Sequence, residues 1–85
     1  MSSDNINLNI SSVNSLESGH LYYAVIDGVV TPAFCANIQT VGNIYITTDT
    51  GYYVIILTNV SDTLTVTVED NQGNTPTSIN FYKVI

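Results

Sequence analysis

Hydrophobic and polar residues alternate along this chain in short runs, and turn-forming residues separate the runs. Residues 6–10 read Ile-Asn-Leu-Asn-Ile, a strict period of two that predicts a half-buried strand. Residues 21–26 (Leu-Tyr-Tyr-Ala-Val-Ile) and 29–34 (Val-Val-Thr-Pro-Ala-Phe) flank the pair Asp27-Gly28. This predicts a β-hairpin closed by a type I′ turn. Both central residues of such a turn need positive φ, which Asp tolerates and Gly adopts freely. Pro32 has no N–H to give to a ladder, so the second arm should lie at an edge or bend there, and it can run on through Cys35 and Ala36 to Ile38.

Further strands are expected over 43–48, 52–58, 63–69 and 78–85. In the first of these, Ile44 and Ile46 share a face. Asp49-Thr50-Gly51 fits a three-residue hairpin loop with Gly in the left-handed region, and residues 59–62 fit a four-residue turn. The stretch 63–69 has the clearest pattern: Leu64, Val66 and Val68 face in, while Thr63, Thr65, Thr67 and Glu69 face out. In the last strand Ile79, Phe81, Lys83 and Ile85 share one face, and Asn80, Tyr82 and Val84 the other. Residues 11–20, 39–42 and 70–77 read as loops, although Val13 and Leu16 would allow a single helical turn, and residues 1–5 read as a flexible tail.

About seven short strands with a turn signal every 8 to 12 residues predict an all-β fold, a compact antiparallel β-sandwich of immunoglobulin-like or jelly-roll-like form. An OB-like barrel is the alternative. The Cys…Trp…Cys pattern of immunoglobulin domains is absent, since the chain has one Cys and no Trp. A length of 85 residues allows a single domain, 1–85.

Residues 21–26 and 52–57 break the alternation, because both of their faces are apolar. A sandwich strand buries one face, so the other needs a cover, and exposed apolar patches mark interaction surfaces. The residues expected on such a covered surface are Tyr22, Ala24, Ile26, Tyr45, Tyr53, Ile55 and Leu57. The six tyrosines, at 22, 23, 45, 52, 53 and 82, strengthen this expectation. Neighbouring Tyr pairs must point to opposite faces of their sheets, and a Tyr ring suits a contact surface as well as a core.

Charge narrows the choice of partner. Seven acidic residues against Lys83, with no Arg, give a net charge of −6. Only 9% of the residues are charged, against about 25% in ordinary domains, and Thr, Asn and Ser replace the missing charge. Nucleic-acid backbones and anionic membranes both require clustered Lys and Arg, so neither partner is expected. The same shortage leaves sheet edges without the Lys residues that normally guard them.

The residues that could carry chemistry are isolated. His20 is the single histidine and is expected at the surface. Cys35, between Phe34 and Ala36, reads as a buried inert thiol and has no disulfide partner in the chain. Both flank the hairpin, but nothing supplies the third orienting group of a Cys-His catalyst. Glu69, Asp70, Asn71 and Asn74 crowd one loop, yet their spacing matches no calcium-binding loop and suits turn formation. No catalytic residue, metal site or cofactor is therefore expected, and no enzyme.

The N-terminal Met-Ser-Ser-Asp-Asn lacks the basic and apolar regions of a secretory signal, and no apolar run reaches membrane-spanning length. Synthesis in a cytoplasm is the expectation, and the N-x-S sequons at Asn9 and Asn59 then carry no meaning. Together these features suggest a non-enzymatic structural or assembly protein. The most concrete form is a viral (phage) virion accessory, such as a capsid decoration or fibre module, made in a host cytoplasm. It would form a homo-oligomer, for example a trimer, and dock on a larger protein assembly through an apolar sheet face. A small carbohydrate-binding module or lectin, using Tyr rings and Asn/Asp loops, is the alternative. An inhibitor or adhesion module that adds a strand at an open edge is the second alternative.

Overall fold

The computed structural model describes residues 3–9 and 14–84, with the backbone alone for 3–9 and Asn14. The expectations for Ile10, Val13 and Ile85 lie outside the described residues. The described residues form nine strands: β1 (Ser3–Asn9), β2 (Asn14–Ser15), β3 (His20–Ile26), β4 (Val29–Val30), β5 (Phe34–Ala36), β6 (Gly42–Thr48), β7 (Gly51–Val60), β8 (Thr63–Asp70) and β9 (Ile79–Val84). They form two antiparallel sheets and no helix among the described residues. One sheet runs β1-β9-β3-β4, with β5 also on β3, and the other runs β2-β8-β7-β6. The expected all-β sandwich is the fold. Its strand order differs from the immunoglobulin order, in which the first two strands share a sheet. Here β1 lies beside the last strand and β2 belongs to the opposite sheet.

Turn chemistry sets the register. Asp27 and Gly28 have φ of 47° and 83°, and Ile26 pairs with Val29, as a type I′ turn requires. Ser61 and Asp62 form a second turn of this kind, with φ of 51° and 63° and Val60 opposite Thr63. It has two residues rather than the expected four, so Asn59 and Val60 join β7, while β8 starts at Thr63 as expected. The β6–β7 turn is also shorter than expected. Thr48 pairs with Gly51 across Asp49-Thr50, and Gly51 has φ of 151°, outside the left-handed helical region.

The second arm of the first hairpin breaks where Pro32 stands. Pairing stops after Val30 and resumes where Phe34 meets Tyr22. Thr31 bridges the gap: its N–H donates to Ala24 O at 2.8 Å, and its Oγ1 accepts the Ala24 N–H at 2.9 Å. Those bonds satisfy a side chain that is buried, which an unpaired hydroxyl could not be without cost. Two further expectations change. Residues 3–5 belong to β1 rather than to a tail, with Ser3 opposite Val84 and Asp4 opposite Lys83. Residues 14 and 15, expected in a loop, form the short strand β2 on β8, and Leu16 beside them enters the core.

The core lies between the sheets. One side supplies Tyr22, Ala24, Ile26, Ile79 and Phe81, and the other Ile46, Ile55, Leu57, Leu64, Val66 and Val68. Small faces large across β3 and β9: Ala24 lies opposite Phe81. Phe34 packs edge-on against Phe81 at 6.0 Å.

Candidate functional site

The structure reverses the expected parity of the two doubly apolar strands. Tyr22 (2% exposed), Ala24, Ile26, Ile55 (0%) and Leu57 are core residues, and Tyr53 is half-buried against the core. The five core residues among these cannot meet a partner. Of the expected surface set, Tyr45 alone is open, at 61% exposure. The reason lies in the register. Ile44 pairs with Ile55 and Ile46 with Tyr53, so the face of β7 that joins Ile44 and Ile46 carries Tyr53 and Ile55. Tyr52, Val54 and Ile56 therefore form the outer face.

That outer face is organised by two tyrosines. Tyr45 lies opposite Val54, Thr47 lies opposite Tyr52, and the two Tyr rings meet edge to face at 5.5 Å. Val54 is only 7% exposed yet stands outside the core cluster, so it is buried under its outer-face neighbours. The free side of β6 borders this patch. This strand ends its sheet, is seven residues long and contains no charged residue. Its outward N–H and C=O groups form an unguarded edge. The other edge of that sheet is the two-residue β2, and the edge strand β1 carries Asp4.

The opposite sheet is lined more thinly. Tyr23 stacks on Tyr82 at 5.0 Å, between the outward-facing Leu21 and Val25. Cys35, expected to be buried, is exposed. Its neighbours Phe34 and Ala36 face inward, and alternation along β5 sends the thiol outward.

His20 is exposed, as expected of it, and sits in a small charge cluster. Lys83 Nζ donates to Glu17 Oε2 at 2.6 Å, and His20 Nε2 stands 3.6 Å from the same oxygen. The Lys83 hydrogen bond, and then the Lys83 charge, hold the Glu17 carboxyl below its usual pKa. Glu17 N–H donates to the Tyr22 hydroxyl at 2.9 Å. The cluster's bonds fasten the segment before β3 onto the sheet.

At the turn end of the sandwich, loops from both sheets enclose an open cleft of about 270 Å³ lined by Asp27, Thr48, Thr50, Tyr52, Tyr53, Asp70, Asn71 and Gln72. Asp27 Oδ1 accepts the Ser78 N–H at 2.8 Å, and Tyr53 Oη donates to Asp27 Oδ2 at 3.4 Å. Asp70 Oδ1 accepts the N–H groups of Gln72 and Asn74 at 2.8 and 3.0 Å, which shapes the loop after β8. Burial first, then the Asp27 charge and hydrogen bond and the Asp70 charge, raise the Tyr53 pKa above its ordinary 10.0. No group of three metal-ligating side chains occurs among the described residues. The sequence pointed to Asp27 and Asp70 as turn residues. Their meeting at one cleft depends on pairing between distant strands, which carries no local signal.

No known family model, curated protein or solved structure matches this chain. The fold and surfaces define a small, charge-poor all-β sandwich in which β6 is a long, uncharged edge strand.

Proposed function

We propose that this protein is a non-enzymatic assembly module. It associates with copies of itself through the free edge of β6 and the adjoining Tyr45, Tyr52 and Ile56 face, and the oligomer docks on a larger protein particle. The observation that carries this reading is the seven-residue, uncharged edge strand beside the open Tyr45 ring. Edge strands are normally short, bulged or guarded by charge, and this one is none of these. A second β6 laid antiparallel against the first would pair the free backbone groups of both and bring the Tyr45 faces together. A virus particle is the setting that suits the composition best. A Thr/Asn/Ser-rich surface with one Lys and no Arg offers trypsin-like proteases a single cleavage site.

Size-exclusion chromatography with light scattering tests the reading. The protein should elute as a closed oligomer at micromolar concentration, and Tyr45→Lys should give a folded monomer. A wild-type monomer that binds no larger particle would overturn it.

A further inference from the structure

We propose that the cleft at the turn end of the sandwich is a binding site for a neutral glycan. The polar groups that the fold leaves unused there select the ligand, and of the cleft's residues only Tyr52 is shared with the proposed assembly face.

Four loops or strand ends meet at this cleft: the β3–β4 turn with Asp27, the β6–β7 turn with Thr48 and Thr50, the start of β7 with Tyr52, and the loop after β8 with Asp70, Asn71 and Gln72. Each Asp spends Oδ1 on backbone N–H groups, Asp70 on its own loop and Asp27 on the distant Ser78. Asp27 Oδ2 takes only the long 3.4 Å contact from Tyr53, and Asp70 Oδ2 takes no hydrogen bond among the described residues. The side chains of Thr48, Thr50, Asn71 and Gln72 likewise make none among the described residues. Gly51 contributes by lacking a side chain. A Cβ there would collide with the Asn71 carboxamide, so glycine lets that amide lie against the β6–β7 turn at the cleft. Its φ of 151° also disfavours any other residue.

The inventory of free groups selects the ligand. Two carboxylate oxygens accept, two carboxamides donate and accept, and two hydroxyls do both. No cation lines the cleft, so phosphate, sulfate and carboxylate ligands find no counter-charge and two repelling acids. A lining dominated by polar side chains does not suit an apolar ligand. A neutral ligand dense in hydroxyls satisfies every one of these groups. Tyr52 adds an exposed ring, and a flat ring packs on the C–H face of a sugar while the sugar's hydroxyls reach the amides and carboxylates. The 270 Å³ volume is just under the ~300 Å³ at which drug-sized pockets begin, which suits a mono- or disaccharide unit of a longer glycan.

The test is a printed array of neutral and sialylated oligosaccharides, followed by calorimetric titration with the best-bound neutral oligosaccharide in buffer with and without EDTA. The expected result is binding to neutral glycans that is unaffected by EDTA and lost when the recognised sugar is replaced by sialic acid. Asn71→Ala and Gln72→Ala should each weaken binding roughly tenfold. Both side chains are exposed and free of internal hydrogen bonds, so the fold should survive, as circular dichroism will verify. Tyr52→Ala should abolish binding, and Tyr52→Phe should keep it. Tyr45→Lys, a monomer on the assembly reading, should bind at least as tightly as the wild type, because Tyr52 is then clear of any partner copy, and this separates glycan binding from self-association. An array with no neutral glycan bound, binding that requires Ca²⁺, or affinity unchanged in all of N71A, Q72A and Y52A would each overturn the proposal.

Discussion

Asp27 shows how much one residue can decide at the smallest scale. It adopts φ of 47° in the turn, and both its N–H and its Oδ1 bond to Ser78, 51 residues away in sequence. Asn could do the same work, since it tolerates the left-handed region and offers a carbonyl acceptor. Ala could do neither. Asp27→Ala should therefore cost about 1–2 kcal/mol in urea unfolding, from the strained φ and one lost hydrogen bond, while Asp27→Asn should change stability by less than about 0.5 kcal/mol. Equal losses in the two variants would mean that the carboxylate charge matters and the turn geometry does not. Tyr53, beside Asp27, gives a prediction in pH. Burial and the Asp27 and Asp70 charges raise its pKa above 10.0, so the folded state favours the neutral phenol. That contribution to stability is fully present below the unfolded value near 10. It is lost as pH rises through the raised folded value. Stability measured in urea should fall above pH 10, and Tyr53→Phe should make that alkaline decline shallower.

At the scale of strands, the alternation of Leu64, Val66 and Val68 was legible because Thr65 and Thr67 stand between them and Thr63 and Glu69 flank them. Within residues 21–26 and 52–57 no polar residue marks the outer face, so the pattern of those runs cannot choose a face. Only register can, and register depends on turn length. A three-residue loop at 49–51 would pair Thr48 with Tyr52 and put Val54 and Ile56 in the core. The actual two-residue loop pairs Thr48 with Gly51 and puts Tyr53 and Ile55 there instead. One residue in one turn thus inverts the whole face of β7, and with it most of the expected contact surface. The arrangement of β3 on β9 was hidden for a different reason: Ile26 and Ile79 lie 53 positions apart, Leu21 and Val84 lie 63 apart, and nothing local reports that pairing. The cleft was unreadable for the same reason, although Asp27, Asp70 and Asn71 were each visible as turn residues. The register makes a sharp prediction for the adjacent pair Ile55 and Ile56. Ile55→Ala should destabilise the domain by about 2–5 kcal/mol, since the side chain is wholly buried between the sheets. Ile56→Asp should leave the domain folded, as judged by near-UV circular dichroism, and lower its oligomer mass in light scattering. Unfolding by both would return the outer face of β7 to ordinary core and remove the main support for assembly there.

For the whole molecule the decisive quantity is charge. Each copy carries a net −6, its one lysine is bonded to Glu17 of the same chain, and its extents are only 32 × 31 × 20 Å. When two copies meet, the acids of both lie within a few Debye lengths, which are about 30 Å at 0.01 M salt and about 10 Å at 0.1 M. Self-association must therefore overcome like-charge repulsion, and it cannot be driven by ion pairs that the chain has no cations to form. Its favourable part must come from apolar contact at Tyr45, Tyr52 and Ile56 and from backbone pairing along β6. Salt screens the repulsion and leaves those contributions in place. Sedimentation velocity at neutral pH should show the association strengthening from 0.01 to 0.5 M NaCl. At fixed low salt it should strengthen again as pH falls toward the pI near 4.1, where the repelling carboxylates are neutralised. Association that weakens with added salt would require a cation at the interface. In that case the contact surface would not be the uncharged edge and tyrosine face described above.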